Sequence, residues 1–143
     1  MSTVQNILQQ KGGLVYTVSP DSTVYDALEA LEDKNLGALV VVDNDGKVNG
    51  IFTERDYARK IILKGRSSRE TLVRDIMTDN PTFVSPDSKI EECMLLMTNK
   101  FVRHLPVCEN GRLIGIVSIG DLVKYIISDK DYIIEHLQHY IYE

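Results

Sequence analysis

Apolar positions along the chain fall into short runs whose spacing switches between helical and extended. Val24, Ala27, Leu28 and Leu31 stand at i, i+3, i+4 and i+7, which is one buried stripe of a helix. Residues 38–42 form an unbroken, mostly β-branched run, as expected for a strand covered on both faces. Asp43-Asn44-Asp45-Gly46 makes a tight turn into a second strand over residues 47–52. Thr53 then opens a helix whose apolar positions are Tyr57, Ala58, Ile61 and Ile62. Ahead of these elements the pattern predicts a short helix over residues 3–10, with Val4, Ile7 and Leu8 on one side. Lys11-Gly12-Gly13 breaks it, and a brief strand follows over residues 15–18. Ser19-Pro20-Asp21-Ser22, rich in helix-capping side chains, leads into the first long helix.

After a polar linker over residues 65–69 the pattern restarts. Ser85-Pro86-Asp87-Ser88 repeats Ser19-Pro20-Asp21-Ser22 at an offset of 66, and Ile90, Cys93, Met94 and Met97 replace the first helical stripe. Residues 105–108 replace 39–42. The second turn, Glu109-Asn110-Gly111, is one residue shorter and carries the Asn-Gly hairpin signal. At the resulting offset of 65, Leu122, Val123, Ile126 and Ile127 match Tyr57, Ala58, Ile61 and Ile62. Two halves that agree in strand, helix, hairpin and helix are a tandem repeat. Residues 129–143 lie outside it. Ile133, Ile134, Leu137 and Ile141, with Tyr132, Tyr140 and Tyr142 around them, predict an amphipathic final helix that packs on its own domain or covers a subunit interface.

With 143 residues, 43% hydrophobic and 26% charged, the composition is that of an ordinary soluble chain. A net charge of −5 without a compact basic patch argues against nucleic acid as a partner. No apolar run approaches the ~20 residues of a membrane span, and the first residues lack signal-peptide regions. A cytoplasmic, reduced protein is the expectation, with Cys93 and Cys108 acting as small hydrophobes. Nucleotide-hydrolase loops, nucleophile elbows and zinc spacings are all missing, so the chain is not expected to be an enzyme. His136 and His139 read as surface residues, and Asp43-x-Asp45-Gly46 has its glycine too early for a calcium loop.

Each repeat ends in the same chemistry. Gly50-Ile51-Phe52-Thr53-Glu54-Arg55-Asp56 and Gly115-Ile116-Val117-Ser118-Ile119-Gly120-Asp121 both run from an apolar strand through a hydroxyl to an acid. A β-α-β-β-α unit given twice, with Ser-Pro-Asp before the first helix and Gly-apolar-apolar-[Ser/Thr]-x-x-Asp at the last, resembles the CBS domain family (cystathionine β-synthase domains) over residues 14–128. The chain looks like a stand-alone CBS pair of the bacterial type, a Bateman module. The resemblance implies an α+β fold: two CBS motifs packed about a pseudo-twofold axis into one module, with a C-terminal helix. Residues 1–69 would hold the N-terminal segment and first motif, 70–128 the second motif, and 129–143 the final helix.

The resemblance also implies a regulatory module without a required cofactor. It would bind AMP, ADP, ATP or NAD in two clefts, form a homodimer and pass ligand state to a regulated protein not named by the sequence. Each acid would hold a ribose diol, while the hydroxyl and nearby amides face phosphate. Carried over from the family, Ser118, Gly120 and Asp121 share one cleft with Lys11, Tyr16, Gly37 and Ala38. Thr53, Arg55 and Asp56 share the other with Thr82, Arg103 and His104. Physical chemistry is compatible with these roles, since a carboxylate accepts two bonds from a cis-diol and a helix N-terminus offers amides to an anion. The same tetrapeptides also have the form of capping boxes, in which the acid bonds its own helix terminus. On that alternative the chain is an oligomerising scaffold that binds no nucleotide. Tyr16 either stacks on a base or fills the core. Arg103 and His104 bring cationic donors to one strand lip where the other repeat has Gly37 and Ala38. Lys60 reads as part of a solvated face.

Overall fold

β2 (Ala38–Val42) pairs antiparallel with β3 (Val48–Thr53), placing Ala38 opposite Thr53 and Leu39 opposite Phe52. β1 (Thr17–Val18) joins β2 in parallel and β4 (Thr78–Asp79) joins β3 antiparallel, giving a four-stranded sheet in the order β1-β2-β3-β4. In the computed structural model, residues 2–12, 14–129, 134 and 137 are described, and the chain divides into two compact units. The sheet belongs to the unit of residues 15–82. Its core is Val24, Ala27 and Leu31 from α2 (Val24–Lys34), with Leu39, Val41, Phe52, Ile61, Val73 and Ile76. The helical stripe and the buried strand are therefore where the spacing predicts them.

The other unit comprises residues 1–14 and 83–143. β5 (His104–Glu109) and β6 (Arg112–Ser118) form its hairpin, and Val84 bridges to Val107 in parallel. Asn110 and Gly111 take φ of 53° and 77°, the two consecutive left-handed residues of a type I′ turn. α5 (Ile90–Lys100) buries Ile90, Cys93 and Met97, and α6 (Ile119–Ser128) buries Leu122 and Tyr125. Burial pushes the Cys93 thiol up to about 11 and raises that of Cys108, as befits structural thiols. Ile134 and Leu137 are helical and half exposed, while Tyr132, Ile133, His136, His139, Tyr140, Ile141 and Tyr142 of the expected final helix lie outside the described residues.

Three expectations need correction. The last-helix stripes are only half buried: Ile61 is covered, but Ala58 and Ile62 are exposed, as are Val123 and Ile127. In the first repeat α3 (Glu54–Tyr57) continues as a π-turn over Ala58–Ile62, closed by Leu63 N–H on the Ala58 carbonyl, whereas α6 in the second is a regular helix with the same open positions. Nor do the serines of the two Ser-Pro-Asp-Ser turns cap helices. Ser19 Oγ accepts from Asp21 N–H and Ser88 Oγ from Ser85 N–H, so they close the turn on itself, while Thr23 caps α2.

The third correction concerns the first residues, which belong to the core of the second repeat. α1 (Val4–Lys11) buries Val4 and Ile7 among Ile90, Leu105, Val117 and Leu122. Val4 N–H and Gln5 N–H donate to the carbonyls of Ser88 and Pro86. In the other unit α4 (Val73–Ile76) does the same, Val73 N–H and Arg74 N–H donating to Ser22 and Pro20. Val4-x-x-Ile7-Leu8 and Val73-x-x-Ile76-Met77 are thus a further repetition, at an offset of 69. Each repeat borrows its companion helix from the segment that precedes the other.

This exchange explains the two motif glycines. A Cβ on Gly50 would stand 2.5 Å from the Thr78 carbonyl oxygen and 3.0 Å from Met77 Sδ. One on Gly115 would stand 2.7 Å from Leu8 Cδ2. At Gly50 the backbone of the borrowed segment leaves no room for a side chain, and at Gly115 one would have to displace the tip of Leu8.

Candidate functional site

Both hydroxyl-x-x-Asp turns sit where the second hairpin strand hands over to a helix. Their geometry begins as a capping box. Asp121 N–H donates to Ser118 Oγ at 3.0 Å, and Ser118 N–H returns a bond to Asp121 Oδ2 at 2.9 Å. Asp56 N–H donates to Thr53 Oγ1 at 3.2 Å, and Thr53 N–H donates to Asp56 Oδ2 at 3.0 Å. Each acid therefore holds its own helix terminus, which a sequence of this form allows.

Beyond the cap the two differ. Asp56 is buried and uses both oxygens: Oδ2 also accepts from Thr53 Oγ1 at 3.1 Å, while Oδ1 accepts from Thr78 Oγ1 at 3.1 Å and pairs with Lys60 Nζ at 3.1 Å. Lys60 Nζ also donates to the Ile76 carbonyl at 2.8 Å. Lys60 is thus a structural partner rather than part of a solvated face, and its i,i+4 spacing from Asp56 is the sequence signal for it. Thr78 carried no such signal.

Asp121 is more open, its side chain 24% exposed. Lys11 Nζ meets Asp121 Oδ2 at 2.7 Å and donates to the Ile116 carbonyl at 2.7 Å. Oδ1 has no hydrogen bond among the described residues. Burial works to raise the Asp121 carboxyl, but the bonds from Lys11 and the Ser118 backbone outweigh it and hold it below its usual value.

Lys11, Arg103, His104, Ser118, Gly120 and Asp121 all belong to one unit. Ile119 N–H donates to the Arg103 carbonyl at 2.8 Å, and His104 pairs with Ser118 across β5 and β6. Burial, and then the charge of Lys11, hold the His104 imidazole below its ordinary value, with Asp121 opposing and Arg103 adding to the effect. Gly120 is exposed and has an ordinary negative φ, and its nearest neighbour is Ser118 Oγ, 3.6 Å from an added Cβ. Neither strain nor packing within the unit calls for a glycine there.

Tyr16, Gly37, Ala38, Thr53, Arg55, Asp56 and Thr82 belong to the other unit. The Gly37 carbonyl accepts from Glu54 N–H at 3.2 Å, the counterpart of the Arg103 contact, and Ala38 lies opposite Thr53. Tyr16 is partly exposed, with Lys34 Nζ 5.1 Å from its ring centre, so it lies at the surface rather than filling the core. Arg55 is exposed and Thr82 half-buried. Among the described residues no cluster of His, Cys, Asp and Glu is placed to hold a metal, and no helix is long and apolar enough to cross a membrane.

Comparison with known proteins finds the same tandem repeat. The CBS domain family matches over residues 15–63 and 73–128. A CBS domain-containing protein from Arabidopsis thaliana, named CBSX3 and mitochondrial, is 40% identical over 148 residues, covering 98% of this chain and 72% of that protein. The structure of a putative signal-transduction protein with CBS domains from Burkholderia ambifaria MC40-6 is 49% identical, with a TM-score of 0.86 over 90% of this chain and 96% of that one. CBSX2, solved in complex with AMP, is 27% identical with a TM-score of 0.73, over 89% of this chain and 97% of its own. Two matched motifs, each built on the hairpin and last-helix turn described above, make this chain a member of the CBS domain family, with the fold of a CBS pair.

Proposed function

We propose that the chain is a regulatory module that binds an adenosine-containing nucleotide, of the AMP, ADP, ATP or NAD type, and passes its occupancy to a partner protein. The observation that carries this is the open carboxylate of Asp121 at a helix terminus, in a chain similar to CBSX2, which was solved with AMP. Asp121 takes the ribose diol through its carboxylate, of which Oδ1 is open. Gly120 lets the ligand approach the main chain, and Lys11, Arg103 and His104 supply positive charge or donors for phosphate. Asp56 with Thr53 and Arg55 is the second proposed turn, and Tyr16, Gly37, Ala38 and Thr82 remain proposed nucleotide-binding residues. The chain acts by binding rather than by catalysis, and the exposed apolar face of α6 (Ile119, Val123, Ile127) supports a homodimer.

A thermal-shift panel with AMP, ADP, ATP and NAD is the first test, because a ligand that binds only the native state must raise the midpoint. Asp121→Ala is expected to weaken binding by about 1.5–3 kcal/mol in titration calorimetry, the worth of a hydrogen bond to a charged group. Unchanged affinity would remove Asp121 from the site.

One observation favours a second reading, that of an oligomerising scaffold without nucleotide. Both acids complete capping boxes, and Asp56 has no oxygen left over. On that reading no nucleotide shifts the midpoint, and both acids matter for stability alone.

A further inference from the structure

Each motif acid is paired with a lysine that also bonds a main-chain carbonyl, yet the two lysines come from unrelated places in the chain. Lys60 lies one turn after Asp56. The matching place in the second repeat, 65 residues on, holds Tyr125, which is buried and donates its hydroxyl to Ser2 Oγ at 3.1 Å. The cation for Asp121 comes instead from the last residue of α1, 110 residues away in sequence. The two links also differ in how open the acid is. Asp56 is enclosed, with donors on both oxygens. The lysines are similarly open, Lys60 41% and Lys11 33% exposed, but Asp121 is 24% exposed against 7% for Asp56, so it is the second acid that a ligand can reach. Beyond Lys11 stands Gly12, at φ 94°, held to α1 by its N–H on the Leu8 carbonyl at 3.0 Å.

A vicinal diol needs two acceptor positions. Oδ1 of Asp121 is open, but Oδ2 already accepts from Ser118 N–H and Lys11 Nζ. A bidentate grip, with one hydroxyl on each carboxylate oxygen, therefore displaces Lys11 from Oδ2, while the Ser118 bond stays as the cap. We propose that Lys11 is a latch which a ligand's diol displaces from Asp121, so that occupancy of this turn is read out as loosening of the last turn of α1. The proposal rests on the nucleotide reading above and adds an output to it: the N-terminal helix reports the ligand, whereas buried Asp56, with both oxygens occupied, holds its segment in place. A released ammonium on a glycine hinge is also free to meet the ligand's phosphate.

Hydrogen exchange of the full chain, read by mass spectrometry over residues 9–12, tests the latch. Saturating AMP is expected to speed exchange there about two- to fivefold, the opening expected on loss of one exposed ion pair. Lys11→Met is expected to show the faster exchange without AMP and to gain little more with it. A 2′,3′-dideoxy analogue of AMP, lacking both hydroxyls, is expected to leave the wild-type rate unaltered. Heat of AMP binding with unchanged or slower exchange at residues 9–12 overturns the latch and leaves the nucleotide reading standing. So does equal loosening by the dideoxy analogue. Absence of heat with AMP, ADP, ATP and NAD overturns the nucleotide reading, and the latch falls with it.

Discussion

His104 shows how one residue reports the charge balance around the open turn. It faces Lys11 and Arg103, both positive, and Asp121, negative. Burial and the two cations disfavour the imidazolium, so its value in the folded chain lies below the ordinary 6.5. A histidine shifted down binds a proton more readily when unfolded, so stability is full above about 6.5 and falls as the pH drops through the folded value. Urea midpoints at about pH 7.5 and about pH 5.5 should therefore differ more in the wild type than in His104→Gln, which has no proton to take up. Lys11→Met should narrow the difference as well, because one of the opposing charges is gone. An unchanged pH profile in both variants would show that His104 does not carry the effect.

Among the elements, the strand that leads into each acid is defined by what crosses it. Gly50 and Gly115 are equivalent in the repeat, but what an added methyl would meet is not the same. At Gly50 the obstacle is a backbone oxygen of β4, which moves only if the strand pairing moves. At Gly115 it is the tip of Leu8, a flexible side chain. Gly50→Ala should cost at the upper end of the about 1–3 kcal/mol typical of overpacking, and Gly115→Ala less. Leu8→Ala should recover much of the Gly115→Ala loss in a double-mutant cycle of chemical denaturation, since it removes the obstacle itself. Additive losses would place the strain elsewhere.

The same elements show what could be read in advance. The stripe of Val24, Ala27 and Leu31, the run over residues 38–42 and the Asn110-Gly111 hairpin were legible, because periodicity and turn chemistry are local. The capping boxes were legible as one of two uses of the same tetrapeptide. The four-residue stripes of the last helices were overread. Helical spacing marks an apolar face but not how much of it a neighbour covers: Val123 and Ile127 in the regular helix α6 are as open as Ala58 and Ile62 in the π-turn. The partners of the acids were legible only in part. Lys60 could have been found by its i,i+4 spacing, but Thr78 is brought to Asp56 by strand pairing. Pairing of that kind leaves no mark in the composition of either segment.

For the molecule as a whole, the repeat boundary in sequence is not the boundary of packing. α1 precedes the first repeat yet fills the core of the second, and α4 follows the first repeat and fills its core. Ile7 and Ile76 are the matched anchors, 3% and 1% exposed. Truncating either to alanine removes the same atoms from the same kind of place, at a cost of about 2–5 kcal/mol. Their effects should separate in space rather than in size. Ile7→Ala should lower amide protection most in α5, β5 and β6, although position 7 lies at the opposite end of the chain from them. Ile76→Ala should lower it most in α2, β2 and β3. Hydrogen exchange resolved by segment reads both at once. Should Ile7→Ala weaken residues 15–82 more than residues 84–128, the first helix would belong with the first repeat, and an N-terminal latch acting on Asp121 would have nothing to stand on.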